Sequence, residues 1–267
     1  MGKQLVCVAA LQGFVLAAAA FGQAAKFEPR ATIPVITSVV NSASGQPGIV
    51  SGSWATIYGT GLSNTTRVWN SGDFIDGNLP PQMDFISVTV NAQHAFVEYV
   101  SPTQLNILVP DDPTVGPVAI QAYGQLLQSN FYYANKVAAQ PALFTFSAKY
   151  PAAVHLDGGF AGPAGLIAGV ATTPVRPNET VVLFGTGFGV SSPVIPTGML
   201  FNTAAPIAQN VTATVGGVAA TVKGYLISPG LYQFNLTVPN LGDGDAPVVV
   251  TLAGISTQAG LTLAIAK

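Results

Sequence analysis

The feature that most constrains this chain is an internal repeat. The segment ATIYGTGLS at residues 55–63 is echoed by VVLFGTGFG at residues 181–189. The echo continues in the same order, because VTVNAQHAFVEYVSPTQLNILVP (88–110) parallels ATVGGVAATVKGYLISPGLYQFNLTVP (213–239). A period of about 126 residues is too long for a solenoid of small repeats and indicates two tandem domains.

Within each copy, apolar residues alternate with polar ones, which is the period of a half-buried β-strand. In TQLNILVP, Leu105, Ile107 and Val109 share one face, and YQFNLTVP follows the same phase. The segments GPVAIQA (116–122) and APVVVTL (246–252) also correspond. Strand candidates recur about every 8–12 residues between Gly, Pro, Asn and Ser, which is typical of a β-sandwich. We therefore predict an all-β fold of two tandem immunoglobulin-like β-sandwich domains.

The repeat places the two predicted domains at residues 33–139 and 140–267. Early in the second domain, Asp157-Gly-Gly159 is a strong turn signal between two apolar segments. We predict an inserted β-hairpin near residues 150–169, with AAVHL and FAGPAGLI as its arms.

Composition supports a β-rich fold and excludes some partners. The chain is 49% hydrophobic and only 7% charged, with 29 Gly and 20 Pro. Helical surfaces are usually covered with Glu, Lys and Arg, which are scarce here. The net charge of −2 provides no basic surface for nucleic acid, and no Lys/Arg cluster indicates a membrane surface.

The N-terminus predicts export. An apolar stretch runs from Leu5 to Ala20, and the small residues up to Ala24 form a signal-peptidase type of site. About 16 apolar residues are fewer than the ~20 needed to span a bilayer. We therefore predict a signal peptide over residues 1–24, a secreted or cell-surface protein, and no membrane span in the mature chain. The only cysteine, Cys7, lies inside this segment, so the mature chain has no disulfide or thiol nucleophile.

The ordered motifs VVNSASGQPGIVSGSWATIYGTGLS, YVSPTQLNILVP, LFGTGFG, TVGGVAATV and GLYQFNLTVP resemble the uncharacterised Solibacter C-terminal domain family of secreted acidobacterial proteins. Each half is also similar, more loosely, to the IPT/TIG group of immunoglobulin-like domains. The resemblance covers essentially the whole mature chain. It implies bacterial extracellular β-sandwich modules without an assigned activity, and it supplies no catalytic residues.

Both copies contain a Gly-Thr-Gly motif after an apolar run, as some nucleotide-binding loops do. The motif glycines are Gly59, Gly61, Gly185 and Gly187. A phosphate loop needs a following helix N-terminus and usually a lysine. The continuations LSNTTRVWNSG and FGVSSPVIPTG provide neither. We predict structural turn glycines that allow positive φ or close backbone approach, and we predict no cofactor.

A Gln-x-Asn pair recurs on the non-core phase of one strand in each copy, as Gln104, Asn106, Gln233 and Asn235. One interpretation is structural, since a half-buried amide must find hydrogen-bond partners. The other is a polar binding face for hydroxyl-rich ligands, with Tyr99, Trp54 or Trp69 as stacking platforms. Recurrence favours the structural role, because a framework element must recur in every copy whereas a ligand site need not.

Acidic turns also recur after the Val-Pro of each copy, as Asp111, Asp112, Asp243 and Asp245. Such turns could contribute ligands to Ca²⁺, which prefers several oxygen atoms. Asp is equally favoured in turns for its own hydrogen bonds to the backbone. Whether calcium binds there is left open by the sequence.

A glycosidase would need two carboxylates, and the candidate pairs are Asp73 with Asp76 and Asp84 with Glu98. Nothing in the sequence marks these residues out. The chain has only two histidines and no G-x-S-x-G motif for a serine hydrolase. We therefore predict a secreted, non-enzymatic binding or structural module whose partner is an extracellular or cell-surface glycan or protein. The alternatives are a carbohydrate-active enzyme and a calcium-dependent adhesin.

Overall fold

A computed structural model describes residues 33–124 and 127–267. The predicted signal peptide lies outside the described residues. The strands of the first copy, with one 3₁₀ turn at Ser71–Asp73, are β1 (Val35–Asn41), β2 (Trp54–Thr60), β3 (Arg67–Val68), β4 (Gln82–Met83), β5 (Ile86–Val90), β6 (Gln93–His94), β7 (Phe96–Val100), β8 (Gln104–Leu108), β9 (Gly116–Tyr123) and β10 (Tyr132–Lys136).

The second copy continues the chain with twelve strands. They are β11 (Ala142–Leu143), β12 (Ala153–His155), β13 (Phe160–Ala161), β14 (Thr172–Thr173), β15 (Thr180–Thr186), β16 (Ala205–Pro206), β17 (Val211–Val215), β18 (Val218–Ser228), β19 (Leu231–Thr237), β20 (Gly244–Leu252), β21 (Ile255–Ser256) and β22 (Thr262–Ile265). Nowhere in the described ranges is there a helix with the length and apolar character needed to span a bilayer.

The first copy is an immunoglobulin-like sandwich of two antiparallel sheets. One sheet has the order β1-β2-β8-β7-β3, and the other has the order β10-β9-β5-β4 with β6 paired to β5. Constant-type immunoglobulin domains show the same arrangement, with an A-B-E-D sheet facing a G-F-C sheet. Ile57 from the first sheet and Val88 from the second are fully buried in one common core. The predicted all-β immunoglobulin-like fold is confirmed.

In the second copy the two layers are joined by one strand. The first residues of β18, Val218–Ala220, pair with β17, and residues from Thr221 onward pair with β19. The result is a continuous sheet of 12 strands, which folds around a core that contains Phe188 and Phe234. In the first copy the corresponding strand is interrupted at Ala95, between β6 and β7.

The repeat is visible in the tight turns of the two copies. The turn between β5 and β6 is made by Asn91 and Ala92, with φ of 50° and 64°. The turn between β17 and β18 is made by Gly216 and Gly217, with φ of 60° and 78°. Two consecutive positive φ values identify the type I′ turn, whose twist matches that of the flanking strands.

A short hairpin lies where the sequence predicts an insertion. Val154 of β12 pairs with Phe160 of β13, and the Gly159 amide donates to Asp157 Oδ1 at 2.9 Å in the turn. The second arm ends at Ala161, well short of the predicted FAGPAGLI segment. Pro163 explains the difference, because it has no N–H to extend a strand ladder.

Backbone contacts join the two copies. The Leu79 amide donates to the Gly198 carbonyl at 2.8 Å, and the Leu200 amide donates to the Gly77 carbonyl at 2.7 Å. A Cβ on Gly198 would lie 2.0 Å from the Phe96 ring. The segment around residue 198 therefore lies directly on the first copy, with no room for a side chain.

Candidate functional site

The glycines of the two Gly-Thr-Gly motifs have matching geometry. A Cβ on Gly59 would lie 2.1 Å from the Val35 carbonyl oxygen, and one on Gly185 would lie 2.5 Å from the Ala142 carbonyl oxygen. In each copy the motif's first glycine thus lets the first strand approach closely. The second glycines, Gly61 and Gly187, have φ of 63° and 80°. The two glycines of each motif therefore lie where the chain turns at a corner of the sheet.

The recurring amides of the first copy bind groups of the protein itself. Gln104 Nε2 donates to Asn106 Oδ1 at 2.9 Å, and Thr56 Oγ1 donates to the same oxygen at 3.2 Å. Asn106 Nδ2 donates to Glu98 Oε2 at 3.3 Å. Asn106 is only 5% exposed, so its amide has no open surface to offer a ligand.

The second copy repeats the first of these contacts. Gln233 Nε2 donates to Asn235 Oδ1 at 2.7 Å, across two positions of β19. Both side chains are half-buried. The shared geometry favours a structural role for the Gln-x-Asn pairs over a polar binding face.

The burial of Trp54 and Trp69 does not favour the interpretation that they serve as stacking platforms. Trp54 is 4% exposed, because Gly230 of the second copy lies against it, and its amide donates to Thr186 Oγ1 at 3.0 Å. Trp69 packs edge-on against Trp54 and Phe74, with ring centroids 5.6 Å and 5.4 Å away. The Trp54 indole is an interior packing element, whereas Trp69 and the third candidate ring, Tyr99, are half-buried.

The acidic turns of the first copy are held in separate contacts. Asp111 accepts from Thr197 Oγ1 at 2.6 Å and from the Thr197 amide at 3.1 Å, which ties the two copies together. Asp112 accepts from the Thr114 amide and from Asn91 Nδ2. These hydrogen bonds, the Thr114 amide foremost, hold the pKa of Asp112 below its usual value.

In the second copy, Asp245 forms a salt bridge with Lys149 at 2.5 Å, which lowers the pKa of the Asp245 carboxyl. Asp243 accepts from the Lys267 amide at 3.0 Å. Across the part of the chain that the structure describes, no three His, Cys, Asp or Glu residues lie close enough together to hold a metal ion.

The carboxylates proposed for a glycosidase are occupied or isolated. Arg67 binds both Asp73 and Asp84 at 2.8 Å, and this pairing lowers the pKa of each carboxyl. Two ionised carboxylates on one guanidinium are poor general acids. Asp76 is exposed in a turn with φ of 50°, and Glu98 is buried.

One histidine lies between a carboxylate and a hydroxyl group, which is the order of groups in a catalytic triad. His155 Nδ1 lies 2.5 Å from Glu179 Oε1, and His155 Nε2 lies 3.0 Å from Thr173 Oγ1. The same Nε2 also faces the Thr173 carbonyl oxygen at 3.1 Å. A nitrogen that donates to this carbonyl is not free to accept the hydroxyl proton, so these contacts favour a brace between β12, β14 and β15. The other histidine, His94, is exposed on β6.

A cavity of about 350 Å³ lies between the two copies. Its size falls in the range of small-molecule sites, about 300–1,000 Å³. Exposed valines line it, namely Val115, Val190 and Val194. Lys136 and Tyr232 also line it, and both donate to main-chain carbonyls of the protein. The cavity is therefore mainly apolar, with its strongest donors already engaged.

An open sheet face in the first copy is the best candidate site. Phe131 and Tyr133 are 58% and 69% exposed. Tyr133 is the second residue of edge strand β10, and Phe131 directly precedes the strand two positions earlier. Positions two apart in an extended segment share one face, and the exposure of both rings shows that this face points away from the core. The next position on the same face, Asn135, is also exposed, whereas Ala134 before it and Lys136 after it are buried.

Polar side chains continue this face on the neighbouring strands. Thr89 of β5 lies opposite Gln121 of β9 and opposite His94 of β6. Gln121 is held in place, because Tyr123 Oη donates to its Oε1 at 2.8 Å and its Nε2 donates to the Ser129 carbonyl at 2.9 Å. We call this surface, formed by Phe131, Tyr133, Tyr123, Thr89, Ser87 and His94, the aromatic face.

The second copy lacks this surface. Thr214 stands at the position of Thr89, and it lies opposite Val249 and Ala219 where Thr89 lies opposite Gln121 and His94. Its last strand, β22, has the sequence TLAI without an aromatic residue. The sequence did not draw attention to Phe131 or Tyr133. A position-by-position comparison of the two copies would have found these two residues, because the copies share a framework but the second copy has no aromatic side chain in its last strand.

Comparison with known proteins finds only distant structural likenesses. No family model matches the chain, and no curated protein sequence matches it either. The glucan-utilization protein SGBP-B of Bacteroides ovatus, solved with a mixed-linkage heptasaccharide, is similar at 13% identity with a TM-score of 0.37, over 82% of this chain and 43% of that one. A γ-CGTase from alkalophilic Bacillus clarkii is similar at 11% identity with a TM-score of 0.30, over 91% and 27%. Domains 5–6 of the S-layer protein SbsC are similar at 13% identity with a TM-score of 0.28, over 87% and 98%.

The chain spans less than half the length of the first two of these proteins. Scores this low support no statement about ligand or activity, which must be argued from this chain's own residues.

Proposed function

We propose that the protein is a secreted or surface-held module that binds an extracellular or cell-surface glycan without chemical turnover, on the aromatic face. The observation that carries the proposal is the pair of exposed rings Phe131 and Tyr133, which lie beside polar side chains on a sheet face of the first copy. Sugar rings present C–H groups on their faces and hydroxyl groups at their edges. Aromatic rings can bind the former, and the hydroxyl groups of Tyr123, Thr89 and Ser87 can bind the latter.

Several observations support a binding role. The framework amides recur in both copies and bind each other, whereas the aromatic face occurs once. Of the carboxylates suggested for hydrolysis, Asp73 and Asp84 are paired with Arg67, Glu98 is buried, and Asp76 is exposed in a turn. The N-terminal apolar stretch and the resemblance to secreted acidobacterial modules support export to the cell surface or beyond.

The test is a glycan array probed with the purified protein. We expect binding to at least one polysaccharide, and a loss of about tenfold in affinity for Tyr133→Ala, which corresponds to about 1.4 kcal/mol. Tyr58→Ala is the matched control, because Tyr58 is an exposed tyrosine (44%) on the opposite sheet. Its affinity should equal that of the wild type.

Two results would overturn the proposal. One is the absence of binding to every glycan on the array while a protein partner is captured from cell envelopes. The other is turnover of a chromogenic glycoside that disappears on substitution of a single Asp or Glu.

A further inference from the structure

We infer that the ligand of the aromatic face is an uncharged, linear glycan of which two consecutive sugar units stack on Phe131 and Tyr133. This inference rests on the proposed function and names the class of glycan and the number of units recognised. It is argued from the charges on the face and from the spacing of the two rings.

The aromatic face carries no fixed charge. In the strands that build it (β4, β5, β6, β9 and β10), the only Lys, Arg, Asp or Glu is Lys136. Lys136 is 3% exposed, and its ammonium is engaged by the main-chain carbonyls of Asp112 and Thr114. An acidic glycan, rich in uronate or sulfate, needs basic partners to offset the loss of its hydration. Because these strands have no exposed Lys or Arg to pair with such groups, the face selects neutral sugars.

The spacing of the two rings suits neighbouring units. Phe131 directly precedes β10 and Tyr133 is its second residue, and positions two apart in an extended segment are separated by about 6.6 Å. That separation is of the same order as the length of one sugar unit in an extended chain. Each ring is more than half exposed, so each has a free face. Opposite Tyr133 on β9 stands Ala119, whose short side chain leaves the tyrosine ring uncovered on its inner side.

The first experiment compares neutral and uronate-containing oligosaccharides of equal length by calorimetry. We expect the neutral ligand to bind at least about tenfold more tightly. Its affinity should change by less than about twofold between 20 mM and 500 mM salt, because no ion pair is screened. Tighter binding of the acidic ligand would overturn this inference while the proposed function stands. No binding of either, and none on the array, would overturn both.

The second experiment uses a length series from one to four neutral units. Affinity should rise about tenfold from one unit to two and then level off. Phe131→Ala and Tyr133→Ala should each reduce the affinity for the two-unit ligand to that of a single unit. Phe85→Ala is the control for Phe131→Ala, because Phe85 is equally exposed (61%) but lies in the turn before β5. Equal affinity for one and two units would overturn the two-unit assignment.

The variants need a fold check that does not depend on binding. Both rings are exposed, so their removal should leave the thermal midpoint within about 2 °C of the wild type. Loss of binding with an unchanged midpoint supports the inference, and unchanged binding in both variants overturns it.

Discussion

Glu98 and Asn106 face each other on neighbouring strands, with Glu98 Oε2 3.3 Å from Asn106 Nδ2. Glu98 is 7% exposed, and its Oε1 has no hydrogen-bond partner among the described residues. It occupies a β-bulge between Val97 and Tyr99. The nearby Arg67 is engaged with other carboxylates. Burial raises the pKa of Glu98 to about 7, although the hydrogen bond from Asn106 opposes the shift.

The first prediction concerns pH. The folded state keeps a proton on Glu98 up to about pH 7, whereas the unfolded chain releases it near 4.5. Between these values the unfolded state binds fewer protons, so the free energy of unfolding falls as pH rises. The full effect is about 3 kcal/mol. Glu98→Gln mimics the neutral carboxyl and should match the wild type at pH 4 but exceed it at pH 8.

Urea unfolding of both proteins, followed by tryptophan fluorescence from pH 4 to pH 8, checks this. Only the difference between the two curves is used, because all other titrating groups are common to them. A constant difference across this range would show that Glu98 ionises normally in the folded protein.

The second prediction concerns the junction. Gly230 has φ of 68°, and a Cβ there would lie 2.4 Å from Leu108 Cδ1 and 2.8 Å from Trp54 Nε1. Gly230→Ala should lower the free energy of unfolding by about 2–4 kcal/mol, from backbone strain and overpacking together. Gly254→Ala is the matched control, since Gly254 has φ of 89° with open space around it. It should lose only about 1 kcal/mol. Equal losses in chemical unfolding would mean that the contact with Trp54 is not tight.

The third prediction concerns the type I′ turn of the first copy. Ala92 has φ of 64°, where a side chain is unfavourable, and its counterpart is Gly217. Ala92→Gly should raise the free energy of unfolding by about 0.5–1 kcal/mol. Ala219→Gly, in an exposed strand position without positive φ, should lower it instead. Thermal unfolding measures both, and a destabilised Ala92→Gly would contradict the strain argument.

The fourth prediction concerns Lys136. Its buried ammonium donates to the main-chain carbonyls of Asp112 and Thr114, the latter at 2.9 Å. Lys136→Met preserves the length of the side chain but leaves both carbonyls without that donor. The free energy of unfolding should fall by about 2–3 kcal/mol. Lys223→Met, at an exposed position of β18, should change it by less than about 0.5 kcal/mol. Similar values for the two in urea unfolding would refute the role of the buried ammonium.

Local pattern was enough to predict the fold class. The alternation of apolar and polar residues depends on neighbours along the chain. The two Gly-Thr-Gly motifs can be aligned with each other within the one sequence. The close approach at Gly59 and Gly185 could be predicted on the same ground, because each copy repeats the same close contact between neighbouring strands.

Packing between the copies could not be predicted. Trp54 alternates with the core residues Ala55 and Ile57, so its position in the strand predicts an exposed ring. The second copy nevertheless covers it through Gly230, about 176 residues later in the chain. The contact of Asn106 with Glu98 could not be predicted either. The bulge at Glu98 shifts the register, and no alternation pattern in the sequence marks that bulge. Neither strand phase nor composition identifies Phe131 and Tyr133 as exposed, since β-strands commonly bury aromatic residues.

Strand β18 has a mechanical consequence. Because this continuous strand belongs to both layers of the second copy, the layers cannot separate unless its hydrogen bonds to β17 or β19 break. In the first copy the matching strand is broken at Ala95, and its layers are held together chiefly by side-chain packing. Under tension along the chain, we expect the first copy, which carries the aromatic face, to yield before the second.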